Sequence, residues 1–223
     1  MDVIEAIIER RSIRSFTSNP VPKETLIKIL EAANQAPSSS NTQPWEIFVV
    51  GGRVLERIRQ AYLERFKNDV PGKPEVRGTG REQLPAGMVE CMNQFRIERF
   101  KLEGLDPQGQ EGVRLSAERG SGFFGAPAVL LLCMNRALSL FSTYDLGLLS
   151  QNILLAAQNL GIGSIIAGAI VAHPDILRKE LAIPDELVIV EGIALGYPDK
   201  KSIVNTFRSS RRPIQEVVTF KGL

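Results

Sequence analysis

The sequence predicts one domain of mixed helix and strand, on three observations. Apolar residues recur at helical spacing in several long stretches, and between them lie short apolar runs bounded by glycine and proline that read as buried strands. The 223 residues are 43% hydrophobic and 23% charged, with neither a composition break nor an internal repeat, which is enough for one large core. One Gly/Pro-rich stretch reads as a flexible insertion within that domain.

From Asp2 to Arg11, Val3, Ile4, Ile7 and Ile8 recur at helical spacing, and Asp2 is placed to cap the start. The helix runs out into Arg10-Arg11-Ser12-Ile13-Arg14-Ser15-Phe16, which puts three guanidinium groups and two hydroxyls at one exit. A solvated basic turn explains this as well as an anion site does, but phosphate is the anion that such donors suit best. Pro22 opens a second helix, with Leu26, Ile29, Leu30 and Ala33 as its buried stripe. It leads into Ala36-Pro37-Ser38-Ser39-Ser40-Asn41-Thr42-Gln43-Pro44-Trp45, six hydroxyl or amide side chains held between two prolines. Pro37 stops the helix and Pro44 is expected to hold Gln43 extended, so the loop shows its polar groups from a stiff connection. A plain polar loop and a ligand-binding loop both fit this composition.

Trp45 to Val50 reads as a strand and Val54 to Phe66 as a helix with Leu55, Ile58, Tyr62 and Phe66 along one side. From Asp69 to Gly87 the prolines and glycines leave no room for a regular element, and a mobile surface loop is expected. Helical pattern resumes over Met88 to Glu103 and Gln110 to Glu118. Together residues 69–119 form a lid-like insertion placed to control access to a pocket. Gly120 to Gly125 satisfies GxGxxG, but it follows polar residues and precedes Pro127 and the strand Ala128 to Met134, so a dinucleotide-binding Rossmann turn is rejected. Tyr144 to Leu160 is apolar almost all round and is expected to be the most buried helix. Ser164 to Ile170 reads as extended, and Ala167-Gly168-Ala169 are small enough for a flat ring to lie close, or simply for tight strand packing. Pro174 to Leu181 reads as a helix begun at His173, and Leu187 to Leu195 as a strand. A second basic cluster, Arg208-Ser209-Ser210-Arg211-Arg212, precedes an apolar end, Ile214 to Phe220, that needs a surface to cover it.

Composition limits the function. No apolar run reaches membrane-spanning length, and an acid-bearing opening helix is not a secretory leader. Cys91 and Cys133 lack CxxC spacing and are expected to be buried thiols in a reducing cytoplasm. One histidine makes a His-rich metal site unexpected. A net charge of +2 is too small for a general nucleic-acid footprint.

Taken in order, RRSIRSF, APSSSNTQPW, the alanine-rich long helix leading to a glycine-bearing strand, IALGYP, and RRP before an apolar tail resemble the FMN-dependent nitroreductase family over nearly the whole chain. FFGAP and NTFRSSRRP look most like its nitrobenzoate-reducing branch. The resemblance implies an α+β fold, a mixed and largely antiparallel sheet flanked by helices, in an intertwined homodimer with two FMN sites at the interface. It implies that Arg10, Arg11, Ser12 and Arg14 hold the flavin from one subunit, aided by Arg208 and Arg211, while Pro37, Ser38, Ser39, Asn41 and Gln43 come from the other. The tail, about 203–223, would extend onto the partner. Ala167 and Gly168 would present a backbone N–H to flavin N5, although the family often carries an acidic residue where Ala167 stands. NAD(P)H would pass hydride to N5 and a small nitroaromatic or quinone would take it back in a ping-pong cycle, with Arg14 and Gly168 tuning the flavin and no acid–base pair required. Relatives of this fold also act on enones, halogenated aromatics or free flavin, and a flavin-binding protein without turnover is a further reading. A serine hydrolase built on Ser38 to Ser40 lacks a base and a GxSxG elbow.

Overall fold

The structure is a computed structural model and describes residues 2–222. Among these, seven α-helices and four strands follow the order α1 (Val3–Glu9), α2 (Lys23–Ala33), β1 (Trp45–Gly51), α3 (Gly52–Lys67), α4 (Ala86–Leu102), α5 (Gln110–Ser121), β2 (Ala128–Asn135), α6 (Leu140–Asn159), β3 (Gly163–Ile166), α7 (Pro174–Leu181) and β4 (Leu187–Gly196). The sheet order is β1-β2-β4-β3 and every ladder is antiparallel. The parallel component of the expected mixed sheet is one isolated bridge, Ser12 to Ser164.

Alternation along β2 builds a three-layer α+β core. Val129, Leu131 and Cys133 face Leu55, Ile58 and Tyr62 of α3, while Leu130 and Leu132 face Ile29 and Ala33 of α2 and Leu149 and Ile153 of α6. Most of these side chains are sealed from solvent. Asp2 caps α1 as expected, accepting from the Glu5 N–H at 2.9 Å, and His173 with Pro174 starts α7.

Several expectations are corrected. The extended segment after α6 ends at Ile166, and Gly168–Val171 turns into a 3-10 helix. Its cause is packing: a Cβ at Gly192 would sit 2.4 Å from Ile170 Cγ2, so β4 leaves room for this turn to press onto the sheet. Cys91 is exposed on α4, because that helix carries no single apolar stripe to bury it; Cys133 is buried. The long helix α6 is, as expected, the most buried of the described helices, with Leu146, Leu149, Ile153 and Ala157 sealed, although its first turns leave Leu140, Phe141 and Tyr144 exposed. Gln43 takes φ 46° in place of an ordinary extended value, since its N–H is drawn back to Ser38 Oγ at 2.9 Å. Residues 69–80 hold no regular element, yet Glu75 pins them by accepting from the Ile189 N–H at 2.8 Å and from Arg178 Nε at 2.8 Å. GxGxxG straddles the end of α5 and a short turn before β2, with a helix ahead of it and a strand behind, the reverse of a dinucleotide turn.

Candidate active site

The two arginine clusters, some two hundred positions apart in sequence, meet. Arg10, Arg11, Ser12, Arg14, Arg208, Ser209 and Arg211 line one cleft of about 410 Å³, closed on its apolar side by Ile7, Phe95 and Phe207. Three local arrangements bring them there. The segment after α1 runs beside β3, with the Ile13 N–H donating to Ser164 O at 3.0 Å. Asn205, itself buried, accepts from the Arg14 N–H at 2.8 Å and donates to Ser15 O at 2.7 Å, stitching the tail to that segment. Arg208 then donates to Ile8 O at 3.0 Å and pairs with Glu9 at 2.5 Å, so it serves the C-terminal end of α1 while bordering the cleft.

The charge in this cleft is poorly neutralised. Arg14 donates to Ser12 O at 3.2 Å, and its guanidinium lies 5.4 Å from the Phe95 ring centroid and 6.0 Å from that of Phe207. No carboxylate pairs with it among the described residues. Burial, reinforced by nearby Arg99 and only partly offset by Glu103, pulls its pKa down to about 10. Arg10 is likewise lowered by burial and then by the neighbouring charge of Arg211. Arg11 Nε is buried without a hydrogen-bond partner among the described residues. Five guanidinium groups and two serines converging with donors to spare make a phosphate-sized anion the natural occupant.

The serine-rich loop stands elsewhere. Ser39–Asn41 forms a 3-10 turn in which Ser40 and Asn41 take φ of 49° and 57°. It is fastened by buried Asp145 of α6, whose two oxygens each lie 3.4 Å from the Ser39 N–H. Pro37, Ser39, Asn41 and Gln43 are exposed, Ser38 is half-buried, and none of the five lines the arginine cleft of its own chain. Of the small pair, Ala167 spends its N–H on Gly192 O at 3.0 Å. The N–H offered to a ligand therefore narrows to that of Gly168, which is exposed and would meet nothing within 4 Å if it carried a Cβ.

Sequence reasoning missed Phe95, Phe207, Asn205 and Asp145. Phe95 and Phe207 pack edge to face at 5.4 Å. Each lies in a stretch whose own periodicity is weak, so only the tertiary meeting of α4 with the tail reveals them. Asp145 carries a signal that could have been read, an acid on an otherwise apolar helix.

The three-layer α+β fold thus carries one cleft in which arginines and hydroxyls gather with little counter-charge. The Nitroreductase family profile matches residues 7–197, and the chain belongs to that family. It is 36% identical over 217 residues to a chloronitrobenzene nitroreductase of Comamonas testosteroni, covering 97% of this chain and 95% of that one. A 4-nitrobenzoate reductase of Nocardioides sp. (strain LMS-CY) is 31% identical, with 99% and 90% covered, which bears out the likeness to nitrobenzoate reductases. The solved FMN-dependent nitroreductase NfnB from Mycobacterium smegmatis, in complex with NADPH, superposes with a TM-score of 0.90 at 26% identity over 98% of this chain and 97% of that one.

Proposed function

We propose that this chain is an FMN-dependent NAD(P)H oxidoreductase that reduces small nitroaromatics, nitrobenzoates among them, as a homodimer in the cytoplasm. The observation that carries the reading is the convergence of Arg10, Arg11, Ser12 and Arg14 with Arg208 and Arg211 on one cleft. FMN fits this donor set: its phosphate matches the guanidinium and serine groups, and the unpartnered Arg11 Nε gains an acceptor. When bound, FMN supplies the two-electron chemistry, taking a hydride from NAD(P)H and giving it up to the acceptor.

The protein's own residues do the rest. Arg10, Arg11 and Arg211 hold the phosphate end. Arg14, desolvated and lacking a carboxylate partner, places fixed positive charge where negative charge develops on reduction. The Gly168 N–H stands ready to donate without a side chain in the way. Phe95 and Phe207 keep water from the Arg14 side of the cleft.

A partner subunit completes the site. Ser38, Ser39, Asn41 and Gln43 supply polar groups to the partner's cleft, with Pro37 packing beside them, because all five lie away from the cleft of their own chain. Exposed Val3, Ile4 and Ile8 on α1, Leu140, Phe141 and Tyr144 on α6, and Ile214, Val217 and Phe220 in the tail give the apolar surface that pairing covers. The 69–119 insertion borders the acceptor side through Phe95. The test is anaerobic: purified protein reconstituted with FMN is yellow, loses colour with NADH or NADPH, and regains it with nitrobenzoate. A colourless protein after reconstitution, or a colour that NAD(P)H leaves unchanged, overturns the reading.

A further inference from the structure

We propose that Arg99, from the 69–119 insertion, is a positioning residue for the flavin site: it backs the Phe95 ring that Arg14 faces and adds fixed positive charge, which Glu103 limits. The inference rests on the FMN-dependent reading above. Spacing along α4 builds the arrangement. Phe95, Arg99 and Glu103 follow one another at four-residue intervals, so they fall on one face of the helix and its C-cap. Phe95 reaches the arginine cleft, where the Arg14 guanidinium lies 5.4 Å from its ring centroid. The Arg99 guanidinium lies 5.7 Å from the same centroid and 4.9 Å from that of Phe100. Two cations thus share one ring, which Phe207 also holds edge to face at 5.4 Å. Arg99 does not itself line the cleft, so it acts through Phe95 and through its field.

Arg99 is fixed from α5 and only partly neutralised. It is 8% exposed. Its Nη2 donates to Ser116 Oγ at 2.7 Å, and that hydroxyl donates in turn to Gly112 O at 2.7 Å. Its Nε is enclosed without a hydrogen-bond partner among the described residues. The carboxylate beside it is that of Glu103, and the pairing is loose: Nη1 stands 3.9 Å from Oε1, while Oε2 is taken by Arg119. One carboxylate therefore serves two arginines. The Glu103 side chain is 3% exposed, so dissolved salt screens this group of charges little. Burial outweighs the support of Glu103 and, with Arg119 adding to it, holds the Arg99 pKa below the ordinary arginine value, yet a guanidinium stays charged at neutral pH. Arg14, Arg99 and Arg119 against Glu103 leave a surplus of positive charge behind the Phe95 wall of the cleft.

The two charges pull the flavin in opposite directions. Reduction places negative charge on the ring system, which the Arg99 cation favours and the Glu103 carboxylate opposes. For unit charges about 12 Å apart at an effective dielectric of about 20, adding or removing one changes the preference for the reduced state roughly 10-fold. That is about 30 mV for a two-electron couple. The insertion thereby sets how strongly reducing the bound flavin is, without touching it.

The test measures the two-electron potential of bound FMN in the parent, Arg99→Met, Arg99→Lys and Glu103→Gln, by equilibration with a reference dye and without turnover. The expected result is an Arg99→Met flavin that prefers the reduced state about 10-fold less than the parent's, about 30 mV lower, and a Glu103→Gln flavin shifted by a similar amount the other way. Arg99→Lys keeps the charge and should recover most of the loss. Damage to packing alone has no reason to reverse sign between the two sites, so shifts of one sign overturn the role. Potentials that stay at the parent value overturn it too, as does a Lys variant as low as the Met variant. Should Glu103→Gln fail to fold, Arg99→Met combined with Glu103→Met removes both charges at once. That double variant should return toward the parent potential, and one as low as Arg99→Met alone overturns the role. A parent that takes up no FMN sinks the proposed function itself, whereas a parent that binds FMN and bleaches with NAD(P)H while the variants fail these expectations sinks this inference alone.

Discussion

Replacing Arg14 with methionine is expected to move two quantities in opposite directions, raising the stability of the FMN-free protein while weakening its hold on FMN. Methionine keeps most of the stem and removes the charge. Keeping this guanidinium charged at a pKa of about 10, where 12.5 is ordinary, costs roughly 3 kcal/mol in the FMN-free protein. Because the group stays charged at every pH below about 10, that penalty is present throughout the neutral range. Against its removal stand the guanidinium contacts with Phe95 and Phe207, worth on the order of 0.5–1 kcal/mol each. The net gain is about 1–2 kcal/mol, or about 2–8 °C in melting temperature for a chain of this size. The same substitution deletes a charge-assisted contact to the flavin worth about 1.5–3 kcal/mol, weakening FMN binding by roughly 10- to 150-fold. Scanning fluorimetry of FMN-free protein and flavin-fluorescence titration measure the two effects. A variant that melts below the parent without FMN, yet binds FMN as tightly, refutes the assignment of Arg14 as an underneutralised anion ligand.

Three further substitutions probe the frame that holds the site. Gly192→Ala would set a Cβ 2.4 Å from Ile170 Cγ2, costing about 1–3 kcal/mol and displacing Gly168–Val171, so denaturant midpoint and FMN affinity should fall together. Tyr62→Phe removes a hydroxyl that donates to Ile170 O at 2.8 Å and accepts from the His173 N–H at 3.2 Å, and should cost about 1–3 kcal/mol in chemical denaturation. Glu75→Gln should cost about 2–3 kcal/mol near neutrality, read from urea midpoints. Burial alone would raise the Glu75 pKa, but hydrogen bonds from Arg178 and the Ile189 N–H outweigh it and lower it. Its stabilisation is thus present above the unfolded carboxylate pKa and lost as pH falls through the lower folded value, so the gap between parent and variant should close in acid.

The frame of the fold was legible where one element sees one environment. Leu55, Ile58 and Tyr62 of α3 announce their stripe, and the continuous apolar run of β2 announces a strand buried on both faces. The two arginine and hydroxyl patches were legible too, since Arg10, Arg11, Ser12 and Arg14 are local in sequence and Arg208 and Arg211 repeat the pattern. The contacts that join these patches were not. Asn205 and Phe207 act only because the tail folds back over α1, and Phe95 only because α4 brings it to Arg14.

The central claim is that each flavin is held by the arginines of one protomer and the serine-rich loop of its partner, and a hybrid dimer tests it most directly. One protomer carries Arg10→Ala with Arg14→Ala; the other carries Ser39→Ala with Asn41→Ala. In a shared site both defects fall on the same cleft, leaving the second intact, so the hybrid should bind one FMN per dimer although neither variant homodimer binds any. A hybrid that binds none, with each protomer crippled by its own defect, contradicts it.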